Sequence, residues 1–184
     1  MRHRLAYAVA VSVLSAALAT GSPSPASAVA RFDPLSASDT VALLADCSRV
    51  TPNGRDYAEM HDLDLCGVQD TPEDRPLPTE AVGGEECGSL TLTTSGRGAG
   101  LVAVEWRVAS RTGPILGMEL DLTVSGRAGD TVHHFATAVG SPLASDGVVV
   151  PAGVGNARVT LSGTVETFTT TCTVASASAR TFVR

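Results

Sequence analysis

The chain has 184 residues, of which 43% are hydrophobic and only 4% aromatic, and it carries a formal net charge of −6. An acidic balance of this kind argues against nucleic acid and anionic membrane as partners, since both demand clustered positive charge that displaces counterions. All 13 basic residues are Arg, and with Ala, Gly and Val abundant the composition is that of a high-GC bacterial gene.

Residues 1–30 read as a cleaved secretory signal peptide. Arg2 and Arg4 precede an uncharged apolar run over residues 5–20, and Ala26-Ser27-Ala28 and Ala28-Val29-Ala30 offer the small-x-small pattern that signal peptidase accepts. The run falls short of the about 20 residues that a spanning helix needs, so no membrane insertion is expected after cleavage. Loss of Arg2 and Arg4 leaves 11 Arg against 19 acids, a charge of −8. The expected mature protein is a secreted, extracellular chain of about one domain's length.

Residues 31–87 form an acidic segment, with 13 acids against four Arg. Within it, residues 38–45 suit a short helix, with Ser38 as cap, Asp39 in the first turn and Val41, Leu44 and Ala45 on one face. A second short helix is expected over residues 55–61. Residues 67–84, which include Pro72, Pro76 and Pro78 among acids, read as a loop or linker.

Four cysteines, Cys47, Cys66, Cys87 and Cys172, make an even set with no C-x-x-C pair. In an exported chain they read as two disulfides. Three connectivities are open, and Cys47 with Cys66 and Cys87 with Cys172 is preferred. The first bridge would organise the acidic segment, and the second would join the first strand of the neutral region to its last.

From Gly88 onward the charge is nearly balanced, with six acids and seven Arg. Residues 101–110 alternate, with Val102, Val104, Trp106 and Val108 on one face and Ala103, Glu105, Arg107 and Ala109 on the other. Residues 116–124 repeat the pattern with Leu116, Met118, Leu120, Leu122 and Val124. This period of two marks strands with one buried and one wet face. Further strands are expected at residues 89–94, 131–139, 147–150, 157–161 and 165–175, separated by turns rich in Gly, Ser and Pro. Seven strands over residues 88–184 imply an all-β, antiparallel β-sandwich, with an immunoglobulin-like topology preferred and Trp106 in its core. A change of phase after Leu161 predicts a bulge or a hairpin between Ser162 and Thr167. The stretch Leu90 to Arg97 also matches Leu120 to Arg127 at six of eight positions. We read this echo as one strand-to-turn solution used twice rather than as a duplicated loop presenting Arg97 and Arg127.

Chemistry is thinly represented. Asp62, Asp64, Gly67, Asp70 and Glu73 fall on positions 1, 3, 6, 9 and 12 of a calcium loop. Position 5 is Cys66, where an oxygen ligand belongs, so a solvated acidic loop is the preferred reading and no metal or cofactor is expected. His133 and His134, neighbours on one strand, would point to opposite faces and could not share an ion. No G-x-S-x-G, H-E-x-x-H or S-x-x-K motif is present, and no catalytic residue is assigned. The expected function is therefore a non-catalytic extracellular binding or interaction module for an unidentified protein or cell-envelope component. One alternative is a secreted peptidase inhibitor presenting Arg75, Leu77 and Pro78 between Cys66 and Cys87. The other is a hydrolase built around His133 or His134 with a distant Ser and acid.

Overall fold

The computed structural model describes residues 35–63, 66 and 87–184. The expected signal peptide and linker lie outside them. The elements are β1 (Ser36–Ala45), a 3-10 turn (Cys47–Arg49), α1 (Pro52–Met60), β2 (Gly88–Gly96), β3 (Leu101–Ser110), β4 (Ile115–Gly126), β5 (Gly129–Thr137), β6 (Leu143–Pro151), β7 (Gly155–Thr167) and β8 (Thr171–Val183). All strand pairings are antiparallel. Hydrogen bonds join the strands into a single sheet in the order β5-β4-β7-β8-β1-β2-β3-β6. The all-antiparallel expectation is met, in one sheet that curls over its own core.

The alternation in β3 and β4 translates directly into burial. Val102, Val104, Trp106 and Val108 of β3 are all buried, as are Met118, Leu120, Leu122 and Val124 of β4, and their side chains meet Val159, Leu161 and Val165 of β7 in one cluster. Trp106 is 2% exposed, which places it in the core as its phase in the strand demands. Leu116, grouped with the apolar face in the sequence, is instead 47% exposed. The register of β4 against β7 shifts between Ile115 and Gly117, so the phase of β4 is reset after its first residues.

Two local expectations are corrected. Residues 38–45 are strand, not helix, because Ala37, Asp39, Val41, Leu43 and Ala45 share the inward face and β1 zips along β2 from Ser36 opposite Ser95 to Leu43 opposite Gly88. The single strand expected at residues 165–175 is a hairpin. β7 runs on to Thr167, the chain turns over residues 168–170, and β8 returns to Val183. Among the described residues the sheet thus has eight strands, and one of them comes from ahead of the boundary expected at residue 87. The second helix forms slightly earlier than expected, with Thr51 as its cap, its side chain accepting from the Gly54 N–H, and Pro52 at its first position. The predicted irregularity before Thr167 is present as a register shift between Leu161 and Gly163 of β7.

α1 docks on the β7–β8 hairpin through Gly54. A Cβ there would strike the Thr169 backbone, and Thr51 donates its N–H to the Thr169 carbonyl at 3.2 Å. The hairpin is tied internally by threonines in place of turn glycines. Thr112 Oγ1 donates to Thr167 Oγ1 at 2.9 Å, Thr167 Oγ1 donates to the Thr170 carbonyl at 2.8 Å, and Thr169 Oγ1 donates to the Thr112 carbonyl at 3.1 Å. The disulfides join Cys47 to Cys66 and Cys87 to Cys172. The second fastens the start of β2 to the start of β8 beside this threonine cluster.

Candidate binding site

The two strands at the margins of the sheet, β5 and β6, are consecutive in the chain and connected by only the five residues 138–142. Among the described residues each has a single sheet neighbour, β4 for β5 and β3 for β6. They are not paired with each other, yet the gap between them is closed at both ends. At one end the Ala128 N–H donates to the Ala152 carbonyl at 3.0 Å, and Gly126 lies so close to that carbonyl that no Cβ would fit. At the other, Ile115 exchanges hydrogen bonds with the connection, its N–H donating to Ser141 at 2.9 Å and its carbonyl accepting from Gly140 at 2.7 Å. Between these closures a seam remains, flanked by two free strand edges.

Register fixes what faces into the seam. Thr131, His133 and Phe135 of β5 lie opposite the buried Val124, Leu122 and Leu120, so they point inward. Asp146 of β6 lies opposite Trp106 on the same inward face of the sheet. The Trp106 and Phe135 rings meet across the interior with centroids 4.5 Å apart, and the His133 ring stacks on Phe135 at 6.4 Å. Here the polar accounting fails to close. Trp106 Nε1, Thr131 Oγ1 and His133 Nε2 are buried and have no hydrogen-bond partner among the described residues. Buried polar atoms are paired in the great majority of cases, so three orphans on two facing strands mark a place where the protein offers bonds it does not use internally. Asp146, at the lip, spends Oδ1 on its neighbour's N–H, that of Gly147, at 2.7 Å.

The outer face of the same strands answers the catalytic alternative. His134 Nδ1 hydrogen bonds Asp121 Oδ1 at 2.9 Å, with both side chains more than half exposed. Ser162 stands opposite Asp121 on the far side of β4. The row across the sheet is therefore His134, Asp121, Ser162, with the acid in the middle. A relay needs the imidazole between acid and hydroxyl, and two strand spacings of about 4.8 Å separate Ser162 from His134. His133 points the other way, into the seam, as the alternation predicts. The arrangement suits a surface hydrogen bond, not proton transfer to a nucleophile.

The remaining sequence candidates are scattered. Asp62 lies just beyond α1 in a left-handed conformation, with φ 53°, and its N–H donates to the Glu59 carbonyl at 3.3 Å. Asp64, Asp70 and Glu73 of the calcium reading, and Arg75, Leu77 and Pro78 of the inhibitor reading, lie outside the described residues. Among the described residues no cluster of three or more His, Cys, Asp or Glu side chains could hold a metal ion, and no helix is long and apolar enough to cross a membrane. The seam itself was missed by sequence reasoning. Its one visible signal was the placement of polar Thr131 and His133 at the inward phase of a strand whose partner is wholly apolar.

The fold and seam define an all-antiparallel β protein, disulfide-bonded in the manner of proteins from oxidising compartments. No family model matches the sequence, and no curated protein or solved structure matches it.

Proposed function

We propose that the protein is a secreted, non-catalytic binding module that captures an extended peptide segment of a protein or cell-envelope partner at the seam between β5 and β6. The observation that carries this reading is the pair of strand edges, on β5 and β6, left unpaired among the described residues, with three unpartnered buried polar atoms on β5 and on β3 beside them. An open edge recruits an extended chain through main-chain hydrogen bonds, and alternate side chains of that chain supply selectivity. Three of the large exposed hydrophobics, Val132, Leu143 and Val149, lie on these two strands, where an added strand would cover them. The inward groups set the chemistry of any side chain that enters. Trp106 Nε1 can only donate, whereas His133 Nε2 and Thr131 Oγ1 can donate or accept, so amide or hydroxyl groups suit the opening. On this reading the curled sheet works as an immunoglobulin-like sandwich does, binding at its margin without a deep pocket.

Peptide display against the folded protein tests this. Binders are expected to shift the emission of Trp106, which is the chain's single Trp, and to lose at least about tenfold in affinity for Val132→Lys, since a charge on an edge strand discourages further pairing. Failure to select any peptide, or binders indifferent to both readouts, would remove the reading. The inhibitor alternative keeps one supporting observation, that both ends of its loop, Cys66 and Cys87, are disulfide-bonded. Titration against a trypsin-like peptidase checks it, with Arg75→Ala expected to abolish any inhibition.

A further inference from the structure

A second feature lies at the end of the sheet where the β2–β3, β4–β5 and β6–β7 connections meet, the end at which Ala128 and Ala152 close the seam. Backbone bonds lace them together. The Gly100 N–H donates to the Arg184 carbonyl at 2.9 Å, the Ala152 N–H to the Gly100 carbonyl at 2.9 Å, and the Ala128 N–H to the Ala152 carbonyl at 3.0 Å. Arg97, Arg127, Arg158, Arg180 and Arg184 all fall at this end, and all are exposed. Among residues 97–101, 126–131, 151–158 and 180–184 the one acidic side chain is Asp130. Five of the seven Arg after Gly88 therefore collect at one end of a chain whose net charge is negative.

The arrangement at its centre is costly in isolation. Arg158 of β7 and Arg180 of β8 are directly opposite each other, and Ser125 of β4 is opposite Arg158 on its other side. Facing cross-strand residues hold their Cβ atoms about 5 Å apart, and like charges in that position repel. Neither guanidinium is in an ion pair among the described residues. The sequence echo ending in Arg127 brings a third Arg to the turn two residues beyond Ser125. A local charge excess kept against its own repulsion is what a bound anion would relieve.

We infer that the facing guanidiniums of Arg158 and Arg180, with Arg127 beside them and the Ser125 hydroxyl on the same row, form a binding site for a phosphate-type oxyanion. Each guanidinium presents parallel N–H donors that match two oxygens of one phosphate. Three Arg against Asp130 favour a multiply charged group over a single carboxylate. Such a phosphate belongs either to a soluble or polymeric phosphate or to a lipid headgroup.

Thermal melts of the full protein in low-salt buffer test the site, with sodium tripolyphosphate compared against sodium chloride at equal ionic strength. Wild type should gain several degrees from tripolyphosphate beyond the chloride control. Arg158→Thr should melt about 1–3 °C higher than wild type without anion, because the repulsion is gone, and should lose the tripolyphosphate response. Arg107→Thr, an exposed Arg of β3 away from this end, should keep it. A wild-type gain no larger than that from chloride, or a gain undiminished in Arg158→Thr, would overturn the proposal. Sedimentation with phosphatidylglycerol vesicles separates the two sources. Vesicle binding lost in Arg158→Thr supports a headgroup, whereas vesicle binding without any tripolyphosphate response overturns the oxyanion site.

Discussion

Thr131, His133 and Trp106 expose a residue-scale asymmetry between removing and orphaning a polar group. Deleting one that already lacks a partner costs little, while orphaning a group that has one costs its desolvation. Thr131→Val is therefore expected to leave stability unchanged or raise it by up to about 1 kcal/mol, measured by urea denaturation. A loss of more than about 1 kcal/mol would mean that the hydroxyl is bonded in solution. Thr167→Val has the opposite expectation. It takes the acceptor from Thr112 Oγ1 and from the Thr170 N–H, and the donor from the Thr170 carbonyl, in a cluster where Thr112, Thr167, Thr169 and Thr170 are all buried. We expect it to destabilise by about 1–3 kcal/mol in the same assay.

At the scale of elements, legibility followed the cleanness of the pattern. β3 and β4 were plain because large apolar side chains alternate with charged ones, Trp106 between Glu105 and Arg107 being the sharpest example. β1 was misread because Ser38 and Asp39 resemble a helix cap, and because the short apolar run from Val41 to Ala45 satisfies either period. Its strand character comes from β2 and β8 on either side, which is tertiary information. The last 13-residue strand, β8, was half missed since its core face beyond Val174 begins with Ala177, Ala179 and Thr181 before Val183, too small or polar to register as apolar alternation. Its hairpin turn also lacks Gly, Pro and Asn, and threonine hydrogen bonds do their work. The seam was not legible because free edges depend on strand order, which no local pattern encodes. Gly163, at the irregularity in β7, tests the packing of these elements. It has φ +143°, and a Cβ would drive into the Glu119 backbone of β4. Gly163→Ala should cost about 2–3 kcal/mol, seen as a lower denaturation midpoint with an unchanged slope.

For the whole molecule, the long disulfide carries more of the stability than the short one. Cys87 and Cys172 are 85 residues apart and Cys47 and Cys66 only 19. In the chain-entropy model these loops are worth about 4–5 and about 3 kcal/mol. Against a total of about 5–15 kcal/mol, Cys87→Ser with Cys172→Ser should leave the chain largely unfolded at 37 °C. Cys47→Ser with Cys66→Ser should leave the sheet folded and disturb only the region around α1. Circular dichroism of the two double variants distinguishes these outcomes, and equal melting temperatures would contradict the ranking.

The strand order has a consequence in time as well as in space. β1, the earliest strand among the described residues, sits in the interior of the sheet between β2 and β8, and β8 is the latest. The sheet therefore cannot be completed until almost the whole chain is present, and its central pairing must wait for the slowest loop closure. The pairs β1–β2, β2–β3 and β3–β6 need no residue beyond Pro151, so half of the sheet can assemble first while β1 keeps its other edge open for β8. The position of one strand thus acts as a clock, since β1 stays half-paired until the last strand arrives.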